Sequence, residues 1–197
     1  MDTLGYHKFC ARWVTKQLAD LHKTQRMGSA LTFLQRYWEE GDEFLDRIMT
    51  DCKGILLTEF MAPGTKITSQ VYCEMLHKLK RSMQNKQQGT LSKGVVLLHD
   101  NARPHTAVCT NAFIKLFGWE IFDHPPYSPD LSPSDYHLFS KMKVWLATQR
   151  FHTNEELMDG VNTWLHNLAV TFFGEGLQKL MSRYNKCLNV DGSYVEK

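Results

Sequence analysis

Apolar residues recur at helical intervals along much of this chain and predict a series of amphipathic helices. One long helix is predicted over residues 15–39 and a second over about 69–86. Further helices are predicted after Thr106, from Pro133 and twice near the C-terminus, where residues 153–156 form a Thr-x-x-Glu capping box. The predicted buried stripe of the first helix consists of Val14, Leu18, Leu21, Met27, Leu31, Leu34 and Trp38.

Short apolar runs between these helices predict strands. Residues 95–98 are an uninterrupted run of Val and Leu after Gly94, a pattern typical of a strand buried on both faces. Other strands are predicted at about 54–61, where a Pro-Gly pair ends the run, and at about 119–122. Because strands and helices alternate, the chain is predicted to have an α/β fold.

Composition agrees with a globular domain and adds little beyond that. Hydrophobic residues make up 43% and aromatic residues 12% of the 197 residues, which excludes an intrinsically disordered chain. The formal net charge is only +2, so no dominant polybasic surface is predicted. Two short basic clusters, at residues 78–86 and 141–143, either contact phosphates or form solvated helix faces.

The cysteines and histidines suggest no disulfide framework and no zinc site. The five cysteines are Cys10, Cys52, Cys73, Cys109 and Cys187. This odd, scattered set favours reduced thiols inside a cell. The histidines at positions 99, 105, 124 and 137 match no standard zinc-ligand spacing. The chain has no apolar run of transmembrane length and no secretory signal at its start.

Two aspartates carry the strongest chemical signal. Asp100 follows the predicted buried strand, at the edge where open α/β sheets place their ligands. Asp135 stands three positions after Ser132, and 34 residues separate the two aspartates (135 − 100 − 1). Only tertiary folding can bring them together, and carboxylates gathered in that way bind hard divalent cations. A pair of such cations cuts and rejoins phosphodiester bonds.

Each aspartate also has a purely structural interpretation. Asp100 and Asn101 together are good turn residues. Asp135 completes a Ser-x-x-Asp capping box with Ser132, where a carboxylate also favours the helix dipole. Neither residue type is by itself specific for a metal site.

The residues around the two aspartates favour the metal site. Residues 99–107 (HDNARPHTA) and 124–139 (HPPYSPDLSPSDYHLF) closely resemble the core motifs of mariner-type transposases of the Tc1/mariner superfamily. The 34-residue interval is the mariner spacing. The resemblance extends over nearly the whole chain. Residues 4–14 resemble the end of the family's second helix-turn-helix and its linker, residues 44–50 the approach to its first catalytic strand, and residues 183–194 its C-terminal end.

The resemblance implies a ribonuclease H-like catalytic fold in which three aspartates bind Mg²⁺ or Mn²⁺. It implies DNA as the partner, because the family excises a transposon at its inverted repeats and joins it to TA target sites. It also implies a homodimer and a location in the nucleus. Asp100 matches the second aspartate and Asp135 the third, so these two are the candidate catalytic and metal-binding residues.

The family's first aspartate has no match. In the family it follows the strand that begins like residues 44–50, but here Thr50 is followed at once by a segment that resembles a later part of the family's sequence. The first catalytic strand and the next strand are therefore predicted to be missing, which leaves an incomplete core. Asp51 is either a surrogate for the missing aspartate or a turn residue before Gly54.

The N-terminal part is also shorter than the family pattern. Most of the two helix-turn-helix units has no match, which predicts weak and nonspecific DNA binding. We predict a remnant of the second helix-turn-helix, the linker and the long helix over residues 1–40, and a partial transposase core over residues 41–197.

Two functions remain open. One is a mariner-like enzyme whose metal-dependent DNA cleavage and strand transfer are impaired. The other is a non-catalytic domesticated or remnant module that binds DNA or self-associates. A third carboxylate beside Asp100 and Asp135 would favour the enzyme. A missing central strand predicts either that residues 44–50 fill part of the gap or that an exposed sheet edge favours self-association.

Overall fold

The computed structural model describes residues 17–49, 55–62, 64–86 and 94–195. Helices and strands alternate, which confirms the predicted α/β class. In chain order the elements are α1 (Asp20–Glu40), α2 (Asp42–Arg47), β1 (Ile48–Met49), α3 (Ser69–Lys86), β2 (Val96–His99), α4 (Arg103–Thr106), α5 (Val108–Phe117), β3 (Glu120–Asp123), a 3₁₀ turn (Pro129–Leu131), a π-helix (Ser134–Phe139), α6 (Ser140–Ala147), α7 (Asn154–His166) and α8 (Val170–Asn189).

The sheet of the described residues has three parallel strands in the order β1-β2-β3. Ile48 pairs with Val96, and Val96 pairs on its other side with Glu120. The central strand β2 is the uninterrupted apolar run, as expected for a strand covered on both faces. Because all three strands run in one direction, the residues that follow them emerge at the same edge of the sheet.

One face of the sheet is covered by α1, α2 and α8. Phe33 of α1 lies at the centre of an aromatic cluster, with ring centroids 5.3 Å from Phe44, 5.7 Å from Phe122 and 4.4 Å from Tyr184. Leu180 and Val96 are completely buried beside this cluster. These contacts join the N-terminal helix, the sheet and the C-terminal helix in one core.

The other face is covered by α3 and α5. Leu76 and Met83 of α3 pack with Leu97 of the sheet and Ile114 of α5. A third cluster, made by α7 and the first turns of α8, contains Leu138, Val161, Leu165 and Phe173. Among the described helices, none is long and apolar enough to cross a bilayer.

The predicted buried stripe of α1 is correct only in part. Leu34 is buried, but Leu21, Leu31 and Trp38 are exposed by 68%, 59% and 77%. The buried face also carries Arg26, Ser29, Ala30 and Phe33, which were not in the predicted stripe, and Val14 lies outside the described residues. The apolar stripe and the buried face differ because packing against α8 and a buried ion pair, neither visible in the local pattern, orient this helix.

The strand predicted over about 54–61 is also wrong for the residues described. Residues 55–62 form no strand and lie instead against α3. Ser82 Oγ donates a hydrogen bond to the Leu56 carbonyl at 2.6 Å, and Lys78 forms an ion pair with Glu59. Residues 55–62 are only half-buried or exposed, and a strand also needs a neighbouring backbone to pair with.

The predicted side-chain caps were correct in one case out of three. Thr106 is not an N-cap, because it ends α4 and α5 is preceded by Ala107. Ser132 does not cap the helix after it, which is preceded by Pro133 without a side-chain cap. Thr153 does cap α7, since its hydroxyl accepts a hydrogen bond from the Glu156 amide at 3.1 Å.

A completely buried ion pair ties three distant segments together. The Arg26 guanidinium donates to both Asp130 carboxylate oxygens, at 2.8 and 2.7 Å. It also donates to Ser128 Oγ at 2.7 Å and to the Gly192 carbonyl at 2.7 Å. Asp130 in turn accepts the Val195 amide at 2.8 Å. This clamp fixes α1, the loop before the π-helix and the C-terminal segment relative to one another.

Candidate active site

A cleft of about 470 Å³ opens at the carboxyl edge of the sheet. Asp100 lies directly after β2 and Asp135 lies in the π-helix, and both line this cleft. Both also line the adjoining groove of the loop after β3. The structure thus places the two sequence-predicted site residues on the wall of one cavity.

The Asp100 carboxylate points toward solvent but is held from two sides. Its side chain is 65% exposed, and Oδ1 lies 2.6 Å from His105 Nδ1. Oδ1 also accepts the Ala102 amide at 3.1 Å. The bond to an amide two residues later is the turn contact expected of an aspartate, so Asp100 fills its turn role while its carboxylate stays at the cleft.

The Asp135 carboxylate is positioned by an unusual helix. The turn begins with the Asp135 amide donating to the Ser132 carbonyl at 3.0 Å, and it widens into a π-helix over Ser134–Phe139. π-Helical turns are rare and recur at functional sites. The predicted capping box is not formed, although Asp135 does lie in the first turn of the helix, where a carboxylate favours the helix dipole.

Tyr136 and His137, which directly follow Asp135, anchor the π-helix to α8. Tyr136 Oη donates to the Gly176 carbonyl at 2.7 Å, and His137 Nε2 lies 2.8 Å from the Phe172 carbonyl. Because both partners belong to α8, the C-terminal helix sets the orientation of the turn that carries Asp135. The sequence showed the Asp-Tyr-His order but not this support.

A tyrosine and two histidines form a layer beside Asp100. The His99 and His105 rings stack with centroids 5.2 Å apart, and the Tyr72 ring lies 4.0 Å from that of His105. Burial raises the pKa of Tyr72, and its hydroxyl lies 3.0 Å from His99 Nδ1. Burial, reinforced by the nearby His105, lowers the pKa of His99 to about 4. His99 is therefore neutral at pH 7.

His124 lies near both Asp100 and Asp135 in the wall of the cleft. It is buried, and burial lowers its pKa. The negative charges of Asp100 and then Asp135 oppose that shift, which requires both to lie near the same imidazole. Asn101 Nδ2 donates to the His124 carbonyl at 2.7 Å and joins the loop after β2 to the loop after β3.

Tyr72 and Asn101 were not identified as site residues from the sequence. Tyr72 lies on the apolar face of its helix, and its hydroxyl reaches His99, the residue before Asp100. Asn101 stood in the matched motif, yet no local pattern indicates that its amide bridges two loops.

Asp100 and Asp135 are the carboxylates that the described cleft offers to a hard cation. Asp100 and Asp135 offer carboxylate oxygens on one accessible wall, and water fills the remaining positions of Mg²⁺ or Mn²⁺ at such sites. Within the described residues no group of three or more His, Cys, Asp or Glu side chains is arranged to hold a metal ion. Asp51, the candidate surrogate, lies outside the described residues.

Comparison with known proteins identifies the family. The crystal structure of the catalytic domain of Mos1 mariner transposase matches with a TM-score of 0.86 and 31% identity, covering 92% of this chain and 99% of that domain. The chain belongs to the mariner-type transposases. The Mos1 catalytic domain solved with raltegravir and Mn matches this transposase domain with a TM-score of 0.85. A family model described as Transposase (partial DDE domain) matches residues 47–93.

Two curated proteins are similar to this transposase chain over most of its length. The Mariner Mos1 transposase of Drosophila mauritiana is 36% identical over 148 residues, which are 74% of the chain and 43% of that protein. The human histone-lysine N-methyltransferase SETMAR is 35% identical over 144 residues, which are 73% of the chain and 21% of that protein. The chain thus spans less than half the length of either relative.

The structural match confirms a ribonuclease H-like core, and the described sheet confirms that it is incomplete. Residues 44–47 belong to α2, and Ile48–Met49 form a strand, while Thr50 lies outside the described residues. That two-residue strand pairs with Val96 and Leu97, which confirms the prediction that the 44–50 segment fills part of the gap.

Proposed function

We propose that this mariner transposase-derived catalytic domain has impaired DNA cleavage and strand-transfer activity. The observation that carries the proposal is the donor set of the cleft. Asp100 and Asp135 share its wall, but the described residues hold no third ligand beside them. Two-metal phosphodiester chemistry needs ligands for both ions.

Asp100 and Asp135 are proposed to hold a single Mg²⁺ or Mn²⁺. Homologous Mos1 structures were solved with Mn and with Mg, which supports use of these ions. When bound, such an ion polarises a phosphoryl oxygen and activates water. Removal of even a residue that supports a metal ligand costs about 10–100-fold in affinity or activity, and loss of a ligand itself costs more.

Residues around the cleft orient the two carboxylates and keep the neighbouring His99 neutral. His105 donates its Nδ1 hydrogen to Asp100 Oδ1, which fixes the direction of that carboxylate. Tyr72 lies within hydrogen-bond distance of His99, and the lowered pKa of His99 keeps that ring neutral at pH 7. The π-helix anchored on α8 carries Asp135 on the wall of the same cleft.

DNA is the proposed partner, with weak and salt-sensitive binding. Mos1 transposase has been solved as a paired-end complex with the left transposon end, which supports DNA as the ligand of this domain too. The net charge of +2 leaves only scattered lysines and arginines for phosphates, so log K is expected to fall linearly with log salt. A nuclear location and a homodimer belong to the same proposal.

Cleavage of an oligonucleotide that carries a mariner inverted repeat tests the proposal. We expect at most trace cleavage with Mg²⁺ or Mn²⁺. Asp100→Ala and Asp135→Ala should remove that trace, and Asp123→Ala, an exposed aspartate at the end of β3 outside the cleft, should keep it. Robust cleavage that Asp100→Ala abolishes would overturn the impairment. If Asp51→Ala abolished it as well, Asp51 would be the missing ligand.

A second candidate is a non-catalytic remnant or domesticated module that binds DNA or self-associates. It is supported by the edge strands of the described three-stranded sheet, since sheet edges can pair with another chain. Sedimentation at increasing protein concentration tests it. A monomer over the whole range, combined with no DNA binding at low salt, would remove this candidate.

A further inference from the structure

The packing of α3 on α5 brings together two cysteines that are 36 positions apart (109 − 73). The Cys109 side chain interacts with both Ser69 and Cys73, which lie one turn apart on α3. Cys73 Sγ lies 3.8 Å from Oγ1 of Thr110, the neighbour of Cys109. The two thiols therefore face each other across the helix pair.

The two thiols have opposite environments. Cys109 is exposed, at the second residue of α5, where the positive end of the helix dipole favours a thiolate. Hydrogen bonding by Ser69 lowers the pKa of Cys109. Cys73 is buried, and burial raises the pKa of its thiol. Such an asymmetry suits an attacking thiol and a second thiol that completes the reaction.

We propose that Cys73 and Cys109 form a peroxide-sensitive dithiol that closes to an intrachain disulfide between α3 and α5. The Cys109 thiolate attacks one oxygen of the peroxide and breaks the O–O bond. The departing hydroxide takes a proton and leaves as water, which produces a sulfenic acid on Cys109. Cys73 then loses its proton and attacks the Cys109 sulfur, the S–O bond breaks, and a second water leaves. Two thiols are oxidised by two electrons and one peroxide is reduced.

The disulfide would act on the cleft through the residues next to each thiol. The hydroxyl of Tyr72, next to Cys73, lies 3.0 Å from His99 Nδ1. Thr110, next to Cys109, donates from Oγ1 to the Pro104 carbonyl at 2.6 Å. Pro104 precedes His105, which holds the Asp100 carboxylate. A covalent bond between α3 and α5 would therefore fix the two groups that support Asp100 relative to each other.

Peptide mapping of the full chain after treatment with hydrogen peroxide tests the proposal without any variant. We expect a cross-linked peptide that joins Cys73 to Cys109, with the loss of two hydrogen atoms, and its disappearance after reduction. The completely buried Cys187 should remain a free thiol. The oxidised protein should melt roughly 5–15 °C above the reduced protein, because the bond closes a long loop.

Variants separate this pair from other cysteines. Cys73→Ser should leave Cys109 as a sulfenic acid and abolish the melting shift, whereas Cys10→Ser with Cys52→Ser should preserve both the cross-link and the shift. Three results would overturn the proposal: Cys109 oxidised while wild-type Cys73 stays a thiol, a dominant cross-link to another cysteine, or no reaction at either thiol.

Discussion

Replacing Arg26 by methionine should destabilise this domain far more than an ordinary helix substitution. The guanidinium is completely buried and donates to both oxygens of Asp130, to Ser128 Oγ and to the carbonyls of residues 192 and 193. Methionine fills a similar volume but donates nothing. Asp130 is then left buried with only the Val195 amide as a partner among these contacts.

The magnitude follows from the charge that is left behind. Removing one partner of a buried ion pair costs about 3–5 kcal/mol, mainly because the other charge stays buried without compensation. For a chain of this length, that loss corresponds to a fall in Tm of roughly 6–20 °C. Asp130→Asn leaves a hydrogen-bonding amide, so it should cost less than Arg26→Met.

Urea unfolding monitored by circular dichroism measures these losses, and a double-mutant cycle isolates the pair. Arg26→Met with Asp130→Asn should cost about 1–3 kcal/mol less than the sum of the single changes. Lys23→Ala, one turn earlier on α1 with a partly exposed side chain, should change stability by at most about 0.5 kcal/mol. Additive single changes, or a loss below about 1 kcal/mol for Arg26→Met, would refute the clamp.

Three further changes test the core, the C-terminal turn and the cleft. Phe33→Ala should lower the unfolding free energy by about 3–5 kcal/mol in the same urea assay, whereas Leu31→Ala, exposed on the same helix, should cost under about 1 kcal/mol. Gly192→Ala should cost at least about 2 kcal/mol, because φ is +74° and the new Cβ would lie 2.3 Å from the Lys23 carbonyl oxygen; an unchanged urea midpoint would contradict this strain. The pKa of His99 lies at about 4 in the fold against 6.5 ordinarily, so its contribution to stability is complete above pH 6.5 and is lost as pH falls toward 4. In metal-free buffer, the difference in unfolding free energy between wild type and His99→Asn should decrease as pH falls through that window. The decrease should be less than roughly 3 kcal/mol, because the partly exposed ring is screened by solvent. A constant difference would exclude His99 as the cause of the pH dependence.

The sequence by itself determined the features that depend on neighbouring residues. The apolar run before His99 predicted a strand covered on both faces, and β2 lies at the centre of the sheet. Thr153 caps α7 because its hydroxyl reaches an amide three residues on, within one turn of chain. The two motifs around Asp100 and Asp135 identified the family for the same reason, since each motif is a short, ordered run.

The tertiary structure decided which partners those segments find. Residues 55–62 were apolar enough for a strand, but they meet the side of α3 rather than another strand. An ion pair between Arg26 and Asp130, 104 residues away, determines which face of α1 is buried. Part of the apolar stripe that the sequence predicted to be buried is therefore exposed. The π-helix at Asp135 and the approach of Cys73 to Cys109 likewise depend on helices distant in sequence.

The physical reason is the range of the interactions. Helix caps, turns and apolar periodicity are local and are written in consecutive residues. Strand pairing, burial of a charge and the meeting of two carboxylates each require groups far apart in the chain, and their free energy appears only when the whole core closes. The sequence therefore singled out Asp100 and Asp135, and folding alone placed them on one cleft.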